Sequence, residues 1–549
     1  MNKTAFLLVG ILSCLVVTTA SAQKVKPKVK IGRDTTFIDG PVTKDGYIDY
    51  VAHLNTILSK GVTPENNAAV LLLKTSPGEI NDEKFLKRYC KALGIAPLKL
   101  DGDYYQDFWR YSIAELEKKK GRKLNNEEIN KARDGFYEDY DKAMEGPWQR
   151  KDIPKIAEWL DANEKHLDRV RKATLRSRYY HPMLNGEGEE DYPGVISVLL
   201  PQAQSTREYA RALVIRSMMY LGEGEIDKCC EDLLTMRRLG NHVATGATIV
   251  EQLVGIAIVG IAQSAERNMA FSGKLSAEQL LDYRDKMKKL PMKSNMVRSF
   301  GECERFMYLD AVQHVMKGGM TALNSLVGLA GSGGSGGPLP QTQMRKMLDT
   351  VISNSTDWSL TMKEGNRIYD KYGKLMKSKD WQVQDDGLEA MEKEIEEISK
   401  SVNGTSAMVK AMLGGPEYRG KMMGKVFVSL LLPALNAATT AEKRAQVLDD
   451  ISYIVLSAAA HKEEQGSYPD SIKGFRGDAG KGLPVDRYSN EDFRYKRQGD
   501  GFIVYSIGPN RKDDGGDGIY NDKYGPADDY GAGYETLKAT TSNVKKDLN

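Results

Sequence analysis

Apolar positions recur at intervals of three and four residues along most of the chain, the spacing of amphipathic helices. Only near the C-terminus does the interval fall to two, the spacing of strands. Helical signals begin at Tyr47. Thr63-Pro64-Glu65 predicts a helix start, because Thr caps free amides and Pro at the first helical position sacrifices no hydrogen bond; Ala68 to Leu73 then continues apolar. Asn81 opens a helix with Phe85, Leu86, Tyr89, Cys90 and Leu93 on one face and Gly94 as its stop. Pro154 to Leu175 places Ile156, Leu160, Leu167 and Val170 on one stripe. Ser205 and Glu208 have the spacing of a capping box for a helix reaching Leu221. That helix stops at Gly222-Glu223-Gly224, and Ile226 to Leu239 follows, so the two predict a helical hairpin.

The hairpin resembles one tetratricopeptide-like unit, with Ala210 and Ala212 as its small positions, but no second copy follows in register. Val243 to Ala265 is apolar nearly all round and predicts a buried helix, and Ser276 with Gln279 forms another capping box. Met296 to about Leu329 is helical, and Gly331 to Pro338 breaks the pattern with Gly and Ser. Gln341 to Ser401 returns to helix around Trp358 and Tyr369. The expected fold class is mainly α: a large helical region, solenoid-like or an irregular bundle, followed by a small α+β C-terminal domain with an antiparallel sheet. The helical domain spans 41–330, the linker 331–340, and a helical segment packed on that domain 341–420.

Composition narrows the class without naming a reaction. The 549 residues are 41% hydrophobic and 28% charged with 52 Gly and 19 Pro, which excludes collagen-like and proline-rich chains. A net charge of +3 does not point to nucleic acid. The N-terminus adds an address. Lys3 precedes an apolar run from Ala5 to Val17, and Ala20-Ser21-Ala22 follows, the pattern of a signal peptide over 1–22 cleaved before Gln23. Lipoprotein processing at Cys14 is the competing reading, and the apolar residues Leu15-Val16-Val17 beyond that cysteine argue against it. Residues 23–40 read as a basic tether, and no later segment offers a clean membrane span, so the mature chain is expected to be secreted or periplasmic, without a transmembrane segment. Cys90, Cys229, Cys230 and Cys303 are too few for a disulfide framework and read as buried thiols, with disulfides as the alternative.

The most specific pattern lies at 421–535. Val426 to Ala438, then Ala441-Glu442-Lys443-Arg444-Ala445 and Ile451 to His461, read as one helix. Gln465-Gly466-Ser467-Tyr468-Pro469-Asp470 makes a turn, Leu483-Pro484-Val485-Asp486 leads into a sheet, and Phe493, Tyr495, Phe502, Val504 and Ser506 alternate about Gly499-Asp500-Gly501 as a half-buried hairpin. In order and spacing this resembles the globular part of type IV pilin-like proteins, the major pseudopilins of type II secretion in particular. The resemblance implies a small antiparallel sheet packed on a long helix, and a C-terminal loop that holds calcium. Those proteins open with a membrane helix, whereas this module begins some 400 residues into the chain with an apolar run too short to span a bilayer. A soluble copy of the fold is expected, with a disordered tail over 536–549.

Asp513-Asp514-Gly515-Gly516-Asp517-Gly518, with Asn521 and Asp522 beyond, supplies hard oxygen donors on a glycine-rich loop suited to wrapping Ca2+. Asp513, Asp514, Asp517 and Asp522 are the expected ligands, against the alternative of a solvated Asp/Gly turn. Elsewhere the six His include no zinc spacing, and neither a nucleophile elbow nor a phosphate-binding loop occurs. Glu302, Glu304 and Asp310 could pair as glycosidase carboxylates, or form a wet helix face. The reading is therefore an exported, non-enzymatic scaffold or interaction protein with a protein partner in the cell envelope, linked to type II secretion or envelope assembly. The alternative is an extracytoplasmic hydrolase or carbohydrate-binding protein, in which Tyr105, Trp109, Trp159, Glu302 and Arg305 would converge on one cleft.

Overall fold

The computed structural model describes residues 29–186, 194–332, 356–402, 410, 413–432, 435–474, 482–516 and 530–533. The chain is mainly α-helical with a small antiparallel sheet near its C-terminus, as the hydrophobic pattern implied. The signal peptide, the tether as far as Lys28, and the tail lie outside the described residues, as does the linker beyond Ser332.

The first helices are α1 Tyr50–Leu58, α2 Ala68–Thr75, α3 Glu83–Ala92, α4 Phe108–Lys120 and α5 Asn126–Glu145. Next come α6 Pro154–Ala162, α7 Glu164–Thr174, α8 Ala203–Glu223, α9 Ile226–Val243, α10 Ile249–Phe271, α11 Ala277–Lys288 and the short α12 Met296–Ser299. A π-helical turn at Phe300–Glu304 leads into α13 Arg305–Ser332, which is broken at Gly319 (φ 61°). Among the described residues there follow α14 Trp358–Leu375, α15 Trp381–Val402, α16 Pro416–Leu431 and α17 Leu435–Gln465.

Local chemistry explains several boundaries. Ser276 and Gln279 exchange the two bonds of a capping box at the start of α11, as predicted. The expected box at Ser205 and Glu208 does not form, because α8 already begins at Ala203 and both residues lie inside it. Thr63-Pro64-Glu65 also starts no helix. Thr63 and Asn66 bond each other in a turn, and Asn67 caps α2 while its side chain also ties down the Tyr180 backbone. The stripe from Pro154 to Leu175 is split at Asn163 into α6 and α7, yet Ile156, Leu160, Leu167 and Val170 are all buried as expected. The predicted hairpin of α8 and α9 is present, and Gly224 ends α8 in the left-handed conformation at φ 79°. The single helix read from Val426 to His461 is instead two. The first ends at Leu431 and the second begins at Leu435.

Three cores hold these elements together. One gathers side chains of α4 to α11 with the second half of α17 and the sheet. Another joins α1, α13, α14, α15 and α16 with the first residues of α17. A smaller one packs α2 on α3. Helix α17 is therefore a shared spine, with Leu435, Ala438 and Ala445 in the second core and Val447, Ile451, Ile454 and Ala458 in the first. Residues 451–460 are buried on every side. Helix α10 is long and apolar enough to cross a membrane by composition, but most of its apolar stretch is buried against neighbouring helices. Its Gly255 lets it approach α9 closely, since a Cβ there would lie 2.5 Å from the Gly240 carbonyl oxygen.

The strands are β1 Val485–Asp486, β2 Glu491–Asp492, β3 Arg494–Gln498, β4 Gly501–Ser506 and β5 Tyr530–Gly533. β1 pairs with β2, and a three-stranded antiparallel sheet runs β3-β4-β5 with Gln498 opposite Gly501 at the predicted turn.

Candidate functional site

The sheet closes over the C-terminal half of α17. Phe502 and Val504 of β4 face the first core, where Phe502 meets Tyr468 at 4.7 Å and Tyr495 at 5.1 Å between ring centroids. The alternation predicts one buried face, yet every residue of β4 is buried. Its other face is covered because the chain after Ser506 turns back across it. Tyr505 is fully buried and donates its hydroxyl to Asp513 Oδ1 at 2.9 Å, and Lys496 lies over its ring.

Asp486, the last residue of the Leu-Pro-Val-Asp segment, is 1% exposed and acts as a clamp. Its Oδ1 accepts from the Tyr488 amide at 3.0 Å and the Ser506 hydroxyl at 2.8 Å, and its Oδ2 from the Ile507 amide and the Ser489 hydroxyl, both at 3.2 Å. Four donors thus satisfy both oxygens of this buried carboxylate. It pins the end of β4 to the segment that leads into the sheet.

Of the four expected calcium ligands, Asp513 and Asp514 are placed side by side on this returning loop, and Asp517 and Asp522 lie outside the described residues. Asp513 Oδ1 also accepts from the Gly515 amide at 3.0 Å, and Arg494 Nε lies 3.4 Å from its Oδ2. Partial burial works against ionisation, but the Tyr505 hydroxyl, the Gly515 amide and the Lys496 and Arg494 cations outweigh it and hold this carboxyl below its ordinary range. Asp514 accepts from Asn510 Nδ2 at 2.9 Å. Gly515 and Gly516, at φ 80° and 87°, let the loop turn back on itself. Both carboxylates lie on a tightly turning loop and are already engaged by donors of this chain. Among the described residues no group of three His, Cys, Asp or Glu side chains could hold a metal.

The residues that an active cleft would need are dispersed. Tyr105 and Trp159 are buried in the first core, with ring centroids 6.4 Å apart, and Phe108 fills the space between them and Phe136. Trp109 packs edge-on against Phe136. These rings are core, as the helical spacing suggested. Arg305 belongs to the other half of the molecule, where it reaches Asp370 at 2.8 Å and lies over the Phe37 ring. Glu302 pairs with Arg298 one turn back at 3.1 Å. Glu304 and Asp310 do not form a carboxylate pair. Each accepts a backbone amide, from Ile249 at 3.1 Å and from Val195 at 2.8 Å. Burial, reinforced by the charge of Asp49, pushes Asp310 up to about 7. Cys90, Cys229, Cys230 and Cys303 are free thiols, and all but Cys230 are buried.

Sequence reasoning missed a buried ionic cluster between α9, α10, α11 and α17. Arg237, 1% exposed, bonds both carboxylate oxygens of Glu266 and reaches Asp449 Oδ1 at 2.7 Å. Tyr283 donates to Glu266 at 2.7 Å, and Gln263 donates to Asp449 at 2.7 Å. An Arg inside a helix otherwise lined by Leu and Met is the one sequence signal that could have marked it. Comparison with protein-family models, curated proteins and solved structures finds no match to this chain.

Proposed function

We propose that the chain is an exported, non-enzymatic scaffold or interaction protein whose C-terminal helix and sheet form a soluble pseudopilin-like module carried on an irregular helical bundle. The observation that supports this reading is the clamp at Asp486, where the segment resembling the pseudopilin lead-in is locked to the end of the hairpin strand over a long helix. The module holds calcium through Asp513, Asp514, Asp517 and Asp522 and contacts a protein partner in the cell envelope, in type II secretion or envelope assembly. A rigid sheet with one loop set by a cation is suited to presenting a surface. Bound calcium would neutralise the clustered carboxylates and fix the loop against β4.

The test uses the intact chain. Calcium should raise its melting temperature, chelator should reverse the rise, magnesium should not replace it, and Asp513→Ala with Asp517→Ala should abolish the increment. Protein recovered from its own cells should begin at Gln23 and lie outside the cytosol. A melting temperature indifferent to calcium removes the metal from the proposal, and an intact Met1 on cytosolic protein removes export.

A further inference from the structure

A cleft of about 520 Å3 opens on the helical body, far in sequence from the C-terminal loop. Its walls come from four separate stretches: the end of α1 and the residues after it, the end of α7 and the segment after it, the C-terminal part of α9 with Thr245, and the segment after α11 with Arg298 of α12. Each stretch contributes positive charge. Lys60, Arg176, Arg178, Arg238, Lys293 and Arg298 line it, and among the described residues no carboxylate does.

The frame of the cleft is built from fixed polar contacts. Asn241, 4% exposed, donates to the Pro291 carbonyl at 3.0 Å and accepts from the Lys293 amide at 3.0 Å, which sets the backbone that carries Lys293. His242 Nε2 meets the Thr174 carbonyl at 3.1 Å. The Arg178 backbone is held on both sides, its amide donating to the Asn66 carbonyl at 3.0 Å and its carbonyl accepting from Ala68 at 2.8 Å. Burial, and then the Lys293 and Arg238 cations, hold His242 below its ordinary value, so the imidazole adds no charge at neutral pH.

Part of this charge has a structural use. Three helices end at the cleft, and cations complement the partial negative charge of helix C-termini. Arg238 pairs with Glu231, Arg298 with Glu302, and Arg176 donates to the Pro64 and Asn67 carbonyls. Lys60, Arg178 and Lys293 are different. They lie beyond the helix ends, are exposed, and among the described residues have no ion-pair partner. Three unpaired cations around one concavity focus a positive potential into it.

We propose that this cleft binds a small, multiply charged oxyanion, a molecule bearing phosphate or sulfate groups, through Lys60, Arg178 and Lys293. Its volume is that of a small-molecule site, and the planar guanidinium of Arg178 can take two oxygens of one group while the lysines act as point charges on another. Ile57, Leu58 and Leu290 in the lining give the organic part of such a ligand an apolar surface. The site is independent of the pseudopilin-like reading and of calcium.

The intact chain is titrated calorimetrically with pyrophosphate and, separately, with a sulfated disaccharide, at low and at physiological ionic strength. At least one should bind saturably, and Lys60→Met/Arg178→Met/Lys293→Met should weaken it by at least about tenfold. A charge-matched control, Lys87→Met/Lys118→Met/Lys119→Met, should leave affinity unchanged. The melting temperature of each ligand-free variant checks folding, and Arg178→Gln alone, also expected to weaken binding, serves if the triple variant is unstable. Pyrophosphate binding alone assigns a phosphate ligand, and disaccharide binding alone a sulfated sugar. Absence of saturable binding by both probes, or equal weakening by the cleft variant and its control, overturns the proposal.

Discussion

Replacing Arg237 by Met should cost the protein about 3–5 kcal/mol, because it strands two carboxylates that the arginine now neutralises. The magnitude follows from the surroundings. Glu266 is fully buried and takes both of its arginine bonds from Arg237, so its charge has no route to water once the guanidinium is gone. Asp449, 19% exposed, loses a 2.7 Å partner but keeps Gln263 and some solvent, so the larger share of the cost falls on Glu266. A loss of this size is a large part of the ~5–15 kcal/mol that stabilises typical proteins. Equilibrium urea unfolding followed by circular dichroism measures it, and limited proteolysis shows whether α17 is the first element released. The same argument predicts partial recovery when the whole cluster becomes apolar. Arg237→Met/Glu266→Met/Asp449→Leu/Tyr283→Phe removes the charges together with the Tyr283 hydroxyl that would lose its acceptor, and it should be more stable than Arg237→Met alone. A cost below about 1 kcal/mol for the single variant, or no recovery in the quadruple one, would refute the reasoning.

Two further outcomes can be checked on the same protein. Asp310 is held near 7 against an ordinary value of 3.8, so between those pH values the unfolded chain releases a proton that the folded chain keeps, and stability falls as pH rises. Asp310→Asn should remove that fall, gaining about 2–4 kcal/mol at pH 8 and little at pH 4, as read from urea midpoints; an equal gain at both would exclude the titration. Asp486→Ala takes away the acceptor of four donors and should cost about 2–4 kcal/mol, with hydrogen exchange accelerating first in β4; protection unchanged there would show that the clamp does not hold the strand.

Much of the helical architecture was legible because periodicity and caps agree with packing. Ser276 and Gln279 cap α11 since nothing distant competes for them, whereas Asn67 rather than Thr63 caps α2 because its amide is also engaged by the Tyr180 backbone, far along the chain. Long-range contacts of that kind leave no local trace. The hairpin turn was readable from Gly499-Asp500-Gly501, but β5 was not, because Tyr530-Gly531-Ala532-Gly533 has little strand preference and pairs only where β4 offers an edge. The burial of β4 on both faces depends on the loop that brings Asp513 to Tyr505, a tertiary event. For the acidic loop, sequence named the chemistry and the structure adds partners for two of its carboxylates. The basic cleft was invisible in sequence, since its cations come from four stretches with unremarkable local composition.

The spine role of α17 has a consequence for how the C-terminal module can be handled. Residues 451–460 are buried all round, and the sheet covers only part of that surface; the rest is covered by α10 and α11. A fragment covering 421–535 would therefore expose Ile451, Ile454, Val455 and Ala458 wherever those two helices normally lie. It would also leave Asp449 without Arg237. An exposed apolar stripe of this length promotes association. The fragment should bind a hydrophobic dye and sediment as oligomers, while the intact chain should do neither to the same degree. A fragment with α10 and α11 supplied in trans should lose dye binding as the interface reforms. Monomeric, dye-free behaviour of 421–535 alone would show that the sheet and helix suffice for each other, and that the buried contacts with α10 and α11 add stability without being needed for folding.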